Sequence, residues 1–134
     1  MWMSYVDGLV IDTSSWIGHL RSPAGSPVAE ALGSRRVYLP PVVLAELASG
    51  RMSSRERARL VTILEPLALC RTDRAHWVRV GELRAMLAGV GLSTSLPDVH
   101  VAQCALDLGV PLLTGDAVFG LVARHTRLRL ASTA

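Results

Sequence analysis

Two aspartates follow closely after apolar runs, at positions where a buried strand would end. Asp12 follows the run 9–11, and Asp116 lies two residues after the run that ends at Thr114. A short apolar run bounded by polar residues indicates a buried strand. In parallel sheets, ligands bind outside the carboxyl ends of the strands. Both carboxylates are therefore candidates for chemistry at one edge of a sheet.

The aspartates also have an ordinary structural interpretation. Asp12 and Asp116 precede helical patterns, where an aspartate cap stabilises a helix by about 1 kcal/mol. A third acid, Asp98, follows Ser95 with the S-x-x-D spacing of a capping box. For each residue taken singly, a capping role and a chemical role both remain open.

Glu46 is harder to explain as a structural residue. It lies inside 42–48, a segment that is otherwise apolar on every helical face. Such a helix is normally buried, and a buried carboxylate costs several kcal/mol unless it is paired or binds a metal. No arginine lies within one turn, so we predict that Glu46 is a buried carboxylate with a metal ion or a distant arginine as its partner.

Four carboxylates that met at one sheet edge would repel one another. At least one would then have a raised pKa in the absence of a cation. A divalent cation removes the repulsion, and a set of oxygen ligands suits Mg²⁺ or Mn²⁺ better than Zn²⁺. We therefore predict a metal site, of one ion or two, formed by Asp12, Glu46, Asp98 and Asp116.

Strand and helix patterns alternate along the 134 residues. The predicted strands are 6–11, 36–39, 67–71, 110–114 and 128–130. The predicted helices are 13–21, 28–33, 41–49, one from Ser53 or Ser54 to about 65, 73–88, 97–108 and 117–124. This alternation indicates an α/β fold, with a mostly parallel sheet flanked by helices on both faces. Since no linker divides the chain, we predict a single domain over 1–134.

Composition excludes several classes of protein. No apolar run approaches the roughly 20 residues of a membrane helix, and the N-terminus lacks the basic region of a signal peptide, so we expect a cytoplasmic protein. Cys70 and Cys104 are isolated in apolar segments, which favours buried thiols over a disulfide or metal pair. The chain has no lysine, which excludes P-loop, Schiff-base, receiver and haloacid-dehalogenase-like chemistry.

Arginine supplies all 14 basic residues, and the net charge is +3. Three arginines spaced by four residues would form one stripe on the helix after Gly50: Arg51, Arg55 and Arg59. A second basic cluster contains Arg124, Arg127 and Arg129. Each group has two open interpretations, since it would serve either as a contact for RNA phosphates or as a solvated face.

Four segments together resemble PIN-domain proteins, and most closely the VapC toxins of bacterial toxin–antitoxin pairs. These segments are LVIDTSSWI (9–17), PPVVLAEL (40–47), LPDVHVA (96–102) and LLTGDAVF (112–119). The resemblance extends over about residues 6–130. It implies that the four acids are the family's acidic site residues, and that Ser14 and Thr114 are polar residues that support the metal ligands. Val118 departs from the pattern, because many relatives carry a further acid there.

The resemblance also implies a function. It predicts a PIN-type fold, cleavage of RNA with Mg²⁺ or Mn²⁺, a homodimer and a cognate antitoxin protein. In such a reaction we expect a metal-activated water to attack a phosphodiester, with the general base unassigned between Glu46 and Asp98. The alternative is a PIN-like module that binds an antitoxin or RNA without cutting.

Overall fold

Four short parallel strands form a sheet at the centre of the computed structural model, which describes residues 8–132. The strands are β1 (Gly8–Ile11), β2 (Arg36–Leu39), β3 (Ala68–Leu69) and β4 (Leu112–Leu113). Their order in the sheet is β3-β2-β1-β4, and every pairing between them is parallel. The predicted parallel α/β architecture is confirmed. Positions 6 and 7 of the predicted first strand lie outside the described residues.

Seven helices surround the sheet within the described range. They are α1 (Thr13–Arg21), α2 (Pro27–Ser34), α3 (Pro41–Ala48), α4 (Ser54–Leu64), α5 (Arg74–Gly89), α6 (Leu96–Leu108) and α7 (Ala117–His125). Each agrees with a predicted helix to within two residues at either end. None of the helices in residues 8–132 is long and apolar enough to cross a bilayer.

The central strand β1 is buried along its whole length. Val10 pairs with Leu112, and Ile11 pairs with Leu113. These side chains belong to one largely aliphatic core, in which Trp16 and Phe119 are also buried. Because the two strands are parallel and in register, the residues that follow them leave the sheet side by side.

The sheet ends sooner than the sequence indicates. The predicted strand 128–130 is wrong, because only an isolated parallel bridge joins Leu130 to Leu112. The predicted strand 110–114 shrinks to the two residues of β4. Pro111 lies inside that segment and has no N–H to donate to a neighbouring strand.

Gly109 ends α6 with φ of +68° and ψ of 31°. This left-handed conformation favours glycine, because a side chain would be strained there. The turn brings the chain from α6 into β4 within a few residues. The helix that carries Asp98 and the strand that leads to Asp116 are thus joined by a short, fixed connection.

Candidate acidic metal site

Asp12 stands at the carboxyl end of β1 and is only 4% exposed. Its Oδ1 caps α1 by accepting a hydrogen bond from the Ser15 amide at 2.9 Å. Its Oδ2 accepts hydrogen bonds from the hydroxyls of Thr114 at 2.5 Å and Ser14 at 3.1 Å. The two roles considered for Asp12 are therefore compatible, because each uses a different oxygen.

Asp116 lies beside Asp12 because β1 and β4 are adjacent. The Asp116 amide donates to the Thr114 hydroxyl at 3.0 Å, and that hydroxyl donates to Asp12. Asp116 also caps α7, since its Oδ1 accepts from the Val118 amide at 3.0 Å. Thr114 thus connects the two aspartates directly.

Glu46 reaches the same edge from α3. Its Oε1 accepts a 2.7 Å hydrogen bond from the hydroxyl of Thr13, the residue after Asp12. The prediction of a buried Glu46 is wrong, because Glu46 is exposed. The eight-residue helix α3 buries only Val43 and Leu47 fully, and its other apolar side chains lie wholly or partly at the surface.

Asp98 is the third residue of α6, and its amide donates to the capping hydroxyl of Ser95 at 3.2 Å. Burial is the main cause that raises the pKa of Asp98 above its ordinary value, and the Ser95 hydroxyl lowers it by less. The charges of Asp116, Glu46 and Asp12 each add a smaller increase. The structure therefore brings the other three acids within electrostatic reach of Asp98.

The donor atoms at this edge are carboxylate and hydroxyl oxygens. The charges of three carboxylates act on the fourth, Asp98, and hydroxyls fix Asp12 and Glu46. Hard divalent cations prefer such oxygen ligands and neutralise their repulsion. The residues present therefore fit Mg²⁺ or Mn²⁺.

A groove of about 380 Å³ runs beside the acids between α1, α3 and α4. Its apolar lining includes Ile17, Leu20, Met52 and Ile63. Its charged lining comprises Arg21, Glu46, Arg51, Glu56 and Arg59. Through Glu46, the groove is continuous with the acidic edge.

The predicted arginine stripe is only partly present. A capping box between Ser53 and Glu56 starts α4, so Arg51 lies in the preceding loop rather than on the helix. Arg55 and Arg59 share the helix, and all three arginines are exposed. Arg51 and Arg59 line the groove, whereas Arg55 is not part of its lining.

No role is predicted from the sequence for His76 and His100, and both are completely buried. The ring of His100 contacts that of His76 through a 2.9 Å hydrogen bond, and it lies 3.5 Å from the Val42 amide at the start of α3. Burial, and next the neighbouring His76, lower the pKa of His100 to about 4. The only signal in the sequence was a polar residue inside the apolar segment Val99–Val101.

A model of one protein family matches most of the chain. It is the model of the PIN domain, which matches residues 9–125. A comparison with curated protein sequences finds no match.

Several solved structures have a similar fold. VapBC-1 from nontypeable Haemophilus influenzae is 20% identical with a TM-score of 0.75, covering 93% of this chain and 97% of that one. DNA-bound VapBC from Salmonella typhimurium is 19% identical with a TM-score of 0.80, covering 95% and 98%. FitAcB from Neisseria gonorrhoeae is 18% identical with a TM-score of 0.70, covering 93% and 97%. The family match spans most of the sequence and the fold agrees with it, so this chain belongs to the PIN domain family.

Proposed function

We propose that this protein is a VapC-type toxin, a divalent-metal-dependent endoribonuclease. The observation that carries the proposal is the convergence of four carboxylates at the carboxyl ends of β1 and β4. The charges of Asp12, Glu46 and Asp116 all act on Asp98. Membership of the PIN domain family supports hydrolysis of nucleic acids as the reaction.

The four acids are the residues that would hold Mg²⁺ or Mn²⁺. A bound divalent ion supplies an activated water and a positive charge for the phosphate oxygens. Ser14 and Thr114 hold the Asp12 carboxylate in one orientation, and Thr13 does the same for Glu46. Such outer contacts typically change metal affinity or activity by 10- to 100-fold when they are removed.

The arginines beside the acids support an RNA substrate. Phosphodiesters are negatively charged, so an acidic site needs cationic groups nearby to attract them. Arg51 and Arg59 line the groove that continues from Glu46. We assign RNA-phosphate contacts to these two residues, with Arg55 contributing from the neighbouring face of α4.

The same groove supports a protein partner. Ile17 and Leu20 are 37% and 38% exposed along it, which suits an apolar segment of another chain. The similar structures from Haemophilus influenzae and Salmonella typhimurium are those of VapBC-1 and of DNA-bound VapBC. We therefore propose a cognate antitoxin as the partner. A homodimer is also proposed, since α5 exposes Trp77 and Val78.

Cleavage of labelled RNA tests this function. The purified wild-type protein should cut RNA with Mn²⁺ or Mg²⁺ and stop when EDTA is added. Asp98→Asn should lose nearly all cleavage, whereas Glu82→Gln, which changes an exposed carboxylate on α5, should keep it. Metal-independent cleavage, or a fully active Asp98→Asn, would refute the proposal.

The alternative of a binding module without nuclease activity has its own outcome. The apolar lining of the groove would suit a partner segment whether or not RNA is cut beside it. A wild-type protein that binds RNA or an antitoxin but shows no cleavage with either metal ion would establish that function instead.

A further inference from the structure

Nitrogen and sulfur side chains gather in a second cluster, made by β3, α5 and α6. Cys70 directly follows β3, His76 lies in the first turn of α5, and His100 and Cys104 lie one turn apart on α6. All four are buried, with exposures of 4%, 0%, 1% and 0% in that order. Cys70 and Cys104 are far apart in the sequence, but the fold places both in the lining of one cleft and groups Cys104 with both imidazoles.

His76 is held as a metal-ligating histidine usually is. Its Nδ1 lies 2.7 Å from Oδ2 of Asp107, and Arg79 and Gln103 also donate to that carboxylate. A carboxylate partner keeps the ring proton on Nδ1 and leaves Nε2 as the electron-pair donor. Nε2 of His76 points to the His100 ring.

His100 presents its two nitrogens to the rest of the cluster. Nδ1 is 2.9 Å from Nε2 of His76, and Nε2 is 3.8 Å from Sγ of Cys104. The Trp77 ring stacks on the imidazole, with centroids 4.7 Å apart and planes 8° apart, and so fixes its orientation. One ligand atom each from His76, His100 and Cys104 lie within 4.8 Å of one another. A small inward movement of these side chains would let one ion with bonds of about 2.0–2.3 Å contact all three.

The two thiols complete the cluster. The neighbouring thiol of Cys70, and next burial, raise the pKa of Cys104 above its usual range. Without a cation, the Cys104 thiol is therefore protonated. A surface cleft of about 380 Å³ is lined by both cysteines and by Arg79 and Asp107, which provides a path for an ion.

We propose that His76, His100 and Cys104, with Cys70 as the closing ligand, form a second metal site that takes a borderline-soft cation of the Zn²⁺ class. Nitrogen and thiolate ligands select such ions over Mg²⁺ and Mn²⁺. On binding, the cysteine protons leave to solvent. Each imidazole keeps one ring proton and offers its unprotonated nitrogen to the ion.

The site would join three separate elements of the fold. β3, α5 and α6 are otherwise held by packing and by the hydrogen bonds around Asp107. Because α6 also carries Asp98, a bound ion would stiffen the helix that supports one of the acids. Its effect is on stability, since the cluster uses none of the acids at the ends of β1 and β4.

Cobalt spectroscopy tests the proposal on the full-length protein, stripped with a chelator and kept under a phosphine reductant. Co²⁺ alone should produce a thiolate-to-cobalt charge-transfer band and intense tetrahedral bands in the visible region, and equimolar Zn²⁺ should abolish both. Cys104→Ala should lose the charge-transfer band, and His76→Gln should lose the tetrahedral intensity. Asp98→Asn should keep both features, because the acidic site offers only oxygen ligands.

Thermal unfolding gives a second measurement on the same proteins. Zn²⁺ should raise the Tm of wild type and of Asp98→Asn, because it binds preferentially to the folded state. It should not raise the Tm of Cys104→Ala. Far-UV circular dichroism identifies the variants that fold. If Cys104→Ala does not fold, His76→Gln takes its place as the test variant. A folded wild-type protein without the charge-transfer band, or a band that survives in Cys104→Ala, would overturn the proposal.

Discussion

The Thr114 hydroxyl donates a 2.5 Å hydrogen bond to Oδ2 of Asp12, although 102 positions separate the two residues. The same hydroxyl accepts a hydrogen bond from the Asp116 amide. One side chain therefore fixes an acid after β1 and the start of the loop after β4. The relative positions of Asp12 and Asp116 depend on it.

Thr114→Val should weaken the acidic site without changing its charge. Valine has nearly the same shape but cannot hold the Asp12 carboxylate, so we expect a 10- to 100-fold loss in Mn²⁺ affinity or RNA cleavage. The free energy of unfolding should fall by about 1 kcal/mol. Thr62→Val, which removes an exposed hydroxyl on α4, is the control. An unchanged dependence of cleavage on Mn²⁺ concentration in Thr114→Val would contradict this role.

Asp98→Asn should stabilise the metal-free protein. The pKa of Asp98 is raised in the folded state by burial and by the other acids. Its contribution to stability is thus present below the unfolded pKa, near 4, and is lost as the pH rises through the folded value. At neutral pH, removing this charge should therefore increase the free energy of unfolding, by on the order of 0.5 kcal/mol for a half-exposed group.

Mn²⁺ should reverse the order of stability of wild type and Asp98→Asn. The ion stabilises the folded state in proportion to its affinity, so wild type should gain more stability from Mn²⁺ than Asp98→Asn does. Urea unfolding with EDTA and with Mn²⁺ measures both differences. A variant that is less stable than wild type in EDTA would show that burial and the other acids do not destabilise the charged Asp98 carboxylate.

Asp107 should make the protein sensitive to acid. Burial alone would raise the pKa of Asp107, but hydrogen bonds from Arg79, His76 and Gln103 outweigh it and lower the pKa to about 2. A lowered pKa gives stability that is present above the unfolded value near 4 and is lost as the pH falls through about 2.

Asp107→Asn should therefore cost about 1 kcal/mol at neutral pH, because Asp107 is exposed and solvent screens its interactions. The difference from wild type should shrink between about pH 4 and pH 2, where the wild-type carboxylate takes up its proton. Thermal unfolding over this pH range measures the effect, and Glu82→Gln is the control for an exposed carboxylate. A constant difference at all pH values would mean that Asp107 acts through packing alone.

Leu20→Asp should weaken binding of the proposed antitoxin. Leu20 is 38% exposed and lines the groove, so a charge there would remain unpaired against an apolar segment. Val61→Asp is a matched control, because Val61 is 52% exposed on α4 but is not part of the groove. Co-purification with the product of the adjacent small gene tests this prediction, and equal retention by both variants would place the partner elsewhere.

Much of the fold could be predicted because its signals are local. Ser53 and Asp73 cap helices close to the predicted starts, and Gly109 ends α6 where the sequence indicates. Short strands were predicted less well, since apolar residues such as Val110 and Leu128 pack into the core without pairing along a strand. Hydrophobicity alone does not separate these two uses.

The proximity of Asp12 and Asp116 could be predicted because strand ends converge at one edge of a parallel sheet. The exposure of Glu46 could not, since a short helix of apolar residues does not indicate which face meets the core. The pairing of His76 with His100 also escaped prediction, because it joins two helices whose contact depends on tertiary packing. In both cases the decisive information is a distance between elements rather than a pattern within one.

One carboxylate oxygen of Asp12 caps α1, and the other accepts the hydrogen bond from Thr114 at the acidic edge. Glu46 is exposed and caps no helix, so its replacement should leave a folded protein. In a cell harmed by the active protein, inactivating mutations that preserve folding should therefore accumulate at Glu46 more often than at Asp12. Inactive copies that arise in this way would still bind the proposed antitoxin. They would therefore lower the amount of antitoxin that is available to inhibit the active form.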